Sequence, residues 1–380
     1  MAPVAASEGA AVVAATDISW LLWLWALLLV VWDTLSQKGK ARHLPKRIPL
    51  PQLPRFTCIV TGATSGIGLE VAREFAQSGA HVILAVRNPS NGKKLIQQWT
   101  EAQDKTGGPE IKAEVMELDL VKLTSVRTFA KDWEARKLPL HALINNAGVF
   151  AMNVKQTFSE DGFEQHLQVN HLGHALLSLL LLPSLLRGGP SRIVNVNSAM
   201  HQLGFVDPED MNITKRKYSS VAAYSGSKLA QQLFSRMLQM RIPKEAGIDV
   251  ILVHPGEVMT AVTRTLPKII QEAEKISACV RFTPAQAARS VIFCATDKQV
   301  FAYARALREM GCPVSPYFSS NSNAAIAKSR IRIEALSKRR MEGGLVQTLG
   351  SPVEVEEEGV LVPVSDTAQV MLVEVGTCEG

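Results

Sequence analysis

Thr57-Cys58-Ile59-Val60-Thr61-Gly62-Ala63-Thr64-Ser65-Gly66-Ile67-Gly68 is the stretch that decides the fold. Its first five residues read as a short buried strand, and an amphipathic helical pattern opens at Gly66. Three spaced glycines alone are a weak signal. Following a strand and opening a helix, they are the signature of a dinucleotide-binding turn. Gly62 permits a tight exit from the strand, Gly66 lets backbone approach a pyrophosphate, and Gly68 lets the helix pack close to the sheet. The helix start, with Thr64, Ser65 and Ile67 around it, offers unpaired N–H groups and the positive end of the helix dipole to phosphate.

Outward from this turn the same pattern repeats. Strands are predicted at 57–61, 80–86, 113–118, 140–145, 192–197 and 249–253. Helices are predicted at 66–78, up to about 102, 123–135, 162–186, 222–240 and 283–296, with a short last strand within 312–319. Such alternation, with right-handed crossovers, gives an α/β doubly wound Rossmann-type parallel sheet whose ligands bind beyond the strands' carboxyl ends. The composition agrees: the chain is 47% hydrophobic but only 6% aromatic, as suits strands buried on both faces.

An acidic residue about 20 positions after the glycine turn would hold a ribose 2′-hydroxyl. None stands between Glu74 and Glu101, and Arg87 occupies the expected place. Its guanidinium suits a 2′-phosphate, so NADP is expected over NAD. Tyr224 and Lys228 lie four apart in a helical pattern and so share one face. A neighbouring ammonium favours phenolate, so Tyr224 is expected below the ordinary tyrosine value and suited to proton exchange.

The net charge of +6 is too mild to indicate nucleic acid as a partner, and the five cysteines contain no CxxC pair, so no metal site is expected. The charge is uneven. Residues 1–37 lack Lys and Arg, and Lys38, Lys40, Arg42, Lys46 and Arg47 follow at once. Trp20 to Trp32 is an unbroken apolar run with tryptophan at both ends. It lacks the basic start of a signal peptide, and it reads as a membrane anchor that either spans or lies in the interface. The basic cluster would keep the catalytic domain on the cytosolic side. The chain then divides into an anchor segment at 1–36, a basic, proline-rich linker at 37–55, a catalytic domain at 56–320 and a tail at 321–380 that reads as partly disordered.

The glycine turn, Asp119-Leu120, Asn145-Asn146-Ala147-Gly148, Asn170, Ser198, Tyr224 with Lys228, and Pro255-Gly256 occur in the order found in the short-chain dehydrogenases/reductases, over roughly residues 57–296. The long gap from Ser198 to Tyr224 resembles the retinol-dehydrogenase-like branch of that family. The resemblance implies hydride transfer between a nicotinamide and a carbonyl or alcohol carbon. Within it, Asp119 and Leu120 contact adenine, and Asn146, Ala147 and Gly148 line the cofactor. Ser198 holds the substrate oxygen and Tyr224 is the acid/base. Lys228 binds the nicotinamide ribose, Asn170 continues a proton relay to it, and Pro255, Gly256 and Thr260 sit by the nicotinamide. Two positions depart from the common pattern: Asn197 replaces a second serine, and Glu257 replaces a small apolar residue. His171, His174, His201 and His254 read as structural. With the anchor, the substrate is expected to be a lipophilic small molecule, and a homodimer is one option. The competing reading is a catalytically silent, nucleotide-binding regulatory or scaffold protein.

Overall fold

A computed structural model describes residues 50–151, 154–258, 281–298, 300 and 317–319, together with helical positions 24, 28, 31, 32 and 34–39. The glycine-turn strand β1 (Thr57–Thr61) leads into α1 (Gly66–Gln77). Then come β2 (His81–Val86), α2 (Pro89–Thr106), β3 (Ala113–Glu117), α3 (Leu123–Glu134) and β4 (Ala142–Asn145). The second half holds α4 (Gln165–Leu167), a π turn (Gln168–Leu172), α5 (Gly173–Leu180), α6 (Leu182–Arg187) and β5 (Ser191–Val196). It continues with α7 (Ser220–Arg241), β6 (Ile248–His254), α8 (Pro284–Thr296) and β7 (Tyr317–Ser319).

The strands form one parallel sheet in the order β3-β2-β1-β4-β5-β6-β7. The order reverses between β1 and β4, which opens a crevice at their carboxyl ends. Every residue of β1, β4, β5 and β6 is buried, because helices cover both faces. One core gathers Val60, Leu84 and Ile144 with Phe75 of α1 and Val291 of α8. The opposite core gathers Ile59, Ile83 and Leu143 with Phe129 and Trp133 of α3 and Leu177 of α5. Each large aliphatic side chain so enclosed contributes roughly 1.5–3 kcal/mol of transfer free energy.

Local chemistry sets the helix limits. Asn88 accepts from the Ser90 N–H ahead of Pro89, and α2 stops at Gly107 in the left-handed region (φ 67°). Thr283 and Gln286 form a reciprocal capping box around Pro284. The sequence pattern placed the helices and strands to within a few residues, with one correction. The single helix expected over 162–186 is broken into α4, the π turn, α5 and α6. No periodicity marks the earlier breaks, but Pro183 within the first residues of α6 marks the last of them.

Among the described residues no helix is long and apolar enough to cross a membrane. Most of the apolar run expected to do so, and the tail 321–380, lie outside the described residues.

Candidate active site

The glycine turn takes a shape that other residues resist. Gly62 (φ 66°) and Gly66 (φ 59°) are left-handed, and a Cβ on Gly62 would come within 3.0 Å of Ala147 Cα. Gly68 has ordinary backbone, but its Cβ would crowd the Asn146 side chain and stand 2.6 Å from the Gly62 carbonyl. Helix α1 therefore lies close against the end of β1. No side chain caps its first turn and no acid stands there, which leaves its N–H groups available to an anion.

Thr61 joins this turn to the end of β4. Its Oγ1 accepts from the Asn146 and Ala147 N–H groups at 2.9 Å, and the Asn146 carboxamide donates to the Thr61 carbonyl. His174 Nε2 lies 3.0 Å from the same hydroxyl, and burial drops the His174 pKa to about 3. That imidazole is neutral throughout the physiological range and packs against the Thr61 hydroxyl.

The second half of the site rests on the π turn. Such one-residue widenings re-aim side chains and recur at functional sites. This one carries Asn170, whose Oδ1 accepts from the Val149 N–H (2.8 Å) while Nδ2 donates to the Val149 carbonyl (3.1 Å) and to Ser227 Oγ (3.0 Å). Asn170 thereby ties the Gly148–Val149 loop to α7, one residue from Lys228.

Ser198 follows β5 by two residues and caps a short 3-10 turn. It lines the same cavity as Tyr224. Lys228 is buried, and its ammonium donates to the Val196 carbonyl at 2.9 Å. Asn197, the departure from the second serine, donates to the Lys228 carbonyl (3.1 Å) and accepts from the Ser198 N–H (2.6 Å), so it joins β5 to α7.

The expected lowering of the Tyr224 pKa is not what the geometry gives. Burial pushes the phenol up to about 12; the Ser198 hydroxyl opposes this and the nearby Glu257 charge adds to it. The Lys228 ammonium spends a hydrogen bond on the strand backbone, and burial brings its own pKa down to about 8. In this arrangement Tyr224 is a protonated donor at neutral pH.

A single cavity of about 650 Å³ brings these parts together. Gly62, Thr64, Ser65, Gly66 and Ile67 line it, with exposed Arg87 and then Asp119 and Leu120 along one side. Asn146, Ala147 and Gly148 form its floor, and Ser198, Tyr224, Lys228, Pro255 and Gly256 its far end. Gly68 and Asn170 stand behind the lining, and Thr260 lies outside the described residues. The elongated set, from a guanidinium past a glycine turn to a phenol, fits a nicotinamide dinucleotide.

Several contributors escaped the sequence reading. Phe150 packs on Tyr224 with ring centroids 4.5 Å apart. Buried Glu164 bonds His166 Nδ1 (2.8 Å), the Leu167 N–H and the Tyr218 hydroxyl, while His166 Nε2 accepts from the Ala151 N–H. The closeness of Glu164 and His166 in sequence was the only available sign. Thr34 of the N-terminal helix also reaches the cavity, which no local pattern foretold.

Residues 57–269 match the family model described as short chain dehydrogenase. The chain is 48% identical over 311 residues to the Arabidopsis thaliana dehydrogenase/reductase SDR family member FEY, covering 81% of this chain and 82% of that one. Mouse retinol dehydrogenase 11 is 41% identical over 64% of this chain and 74% of its own. Mouse polyprenol dehydrogenase is 40% identical, over 66% of this chain and 74% of its own. Among solved structures, one from Beutenbergia cavernae, described as an NAD(P)-dependent gluconate 5-dehydrogenase with NADP bound at low occupancy, superposes with a TM-score of 0.54 at 26% identity, over 72% of this chain and 98% of that one. With its parallel sheet, glycine turn and Ser198–Tyr224–Lys228 cluster, the chain belongs to the short-chain dehydrogenase/reductase family, oxidoreductases that act on CH–OH groups.

Proposed function

We propose that this protein is an NADP(H)-dependent oxidoreductase of lipophilic alcohols or carbonyl compounds, with Tyr224 as its acid/base. The supporting observation is that Ser198, Tyr224 and Lys228 line the same cavity as the glycine turn. The nicotinamide supplies the hydride chemistry when bound. Gly62–Gly68 hold its pyrophosphate and Arg87 the 2′-phosphate. Asp119 and Leu120 flank the adenine. Lys228 holds the ribose, and Pro255 and Gly256 border the nicotinamide. Ser198 fixes the substrate oxygen beside the phenol, and Tyr224, protonated at neutral pH, delivers the proton as a carbonyl is reduced. Asn170 holds the Gly148–Val149 wall and stands next to the Lys228 end of the proton path.

Two observations support a lipophilic substrate. Relatives named for retinol and polyprenol share most of the domain. In addition, Leu24, Leu28, Val31, Trp32 and Leu35 are 40–67% exposed and recur at helical spacing on one face. Such a face, followed by the basic cluster at 38–47, suits a helix lying in a bilayer interface with the catalytic domain on the cytosolic side.

The test is NADPH oxidation with a panel of apolar aldehydes and ketones. Tyr224→Phe is expected to lose at least about 100-fold in kcat while binding NADPH about as well as the native protein. Equal turnover in the variant would remove the assigned acid.

A further inference from the structure

The N-terminal helix does more than carry an exposed apolar face. At 100° per residue, Gln37 lies on the side of that helix opposite Leu28 and Leu35, with Thr34 about 60° from it. Gln37 is only 1% exposed. Its carboxamide pairs with both backbone groups of Glu257: Nε2 donates to the Glu257 carbonyl at 3.1 Å, and Oε1 accepts from the Glu257 N–H at 2.9 Å. The pair spans 220 residues of sequence and copies the reciprocal pairing of two strands. From the other side, the Phe282 N–H donates to the same Glu257 carbonyl at 2.9 Å. Gly256, next to it, is left-handed (φ 84°), and a Cβ there would stand 2.8 Å from Gln37 Oε1 and 2.7 Å from the Phe282 ring. The Pro255–Val258 segment is thus gripped between Gln37 and Phe282 while it lines the cavity that holds Tyr224, with Thr34 one turn before Gln37 on the same wall.

We propose that Gln37 is a positioning residue for the cofactor: by fixing the Glu257 backbone it holds the nicotinamide-side wall, so that the N-terminal helix completes the dinucleotide site. This rests on the cofactor assignment made above. A side chain that merely docked the helix would need no partner in that wall. Gln37 instead satisfies the N–H and the carbonyl of the one residue between Gly256 and Val258, both of which face the cavity.

The discriminating experiment uses the full chain and Gln37→Met, which keeps side-chain size and removes both hydrogen bonds. NADPH affinity is read by fluorescence titration, and amide hydrogen exchange is read over 255–258 in the protein without added nucleotide. The expected result is an NADPH Kd raised about tenfold and faster exchange confined to that segment, with Gln37→Glu, which keeps only the acceptor, more impaired than the native chain. Unchanged affinity and exchange would overturn the proposal. So would acceleration spread evenly over the domain, since it would reveal a purely structural role. If the native chain does not bind NADPH, the cofactor assignment fails; the local exchange still shows whether Gln37 fixes the segment.

Discussion

Tyr224 shows what a single residue's surroundings decide. Spacing identified the tyrosine and lysine, but the balance of burial against charge depends on distances that no linear pattern holds. Glu257 belongs to that balance, because its carboxylate helps to keep the phenol protonated. Glu257→Gln removes this influence and moves the Tyr224 pKa downward, so more phenolate is present at any pH below it. Alcohol oxidation measured at pH 9 is therefore expected to quicken several-fold, with carbonyl reduction at pH 7 little altered. A pH profile of oxidation identical to that of the native chain would show that Glu257 does not act on Tyr224. At the other end of the cavity, Arg87 is exposed and lines the wall beside Asn88 and Asn91. If it grips a 2′-phosphate, Arg87→Ala should weaken NADPH binding by about 10- to 100-fold and leave NADH within about threefold. An equal effect on both nucleotides would exclude that role.

At the scale of elements, the glycine turn was legible because its neighbours are consecutive: strand, turn and helix declare themselves within twelve residues. The consequence of Gly68 is equally local. Gly68→Ala must push Asn146 or the Gly62 carbonyl aside, and overpacking of this kind costs about 1–3 kcal/mol. Thermal unfolding should register that loss together with weaker NADPH binding; a variant as stable as the native chain would mean that α1 has room to retreat. The π turn was not legible. Residues 164–172 mix polar and apolar side chains and 175–186 are mostly apolar, so periodicity could not reveal where one extra residue widens the helix. What fixes the widening is the pairing of Asn170 with Val149, 21 positions away. The Glu164–His166–Tyr218 cluster was hidden for the same reason, since Tyr218 arrives from 54 positions downstream.

Across the whole molecule, the doubly wound parallel sheet followed from alternation and handedness, and the family from motifs in series. Contacts that return to the start of the chain did not. The pairing of Gln37 with Glu257 joins a segment that reads as a separate linker to the heart of the domain, and no pattern rule connects two positions 220 apart. Arg192 is a similar case: a charged residue near the start of β5, 1% exposed, whose guanidinium donates to the carbonyls of Cys294 (2.6 Å) and Asp297. That arrangement bears on synthesis. A chain still emerging from the ribosome has β1 to β6 in hand long before α8 arrives, and until then a cation meant for the interior lacks those two acceptors. Such a charge resists burial by several kcal/mol. Burial of the Arg192 guanidinium is therefore expected to be completed only once residues 294–297 have emerged.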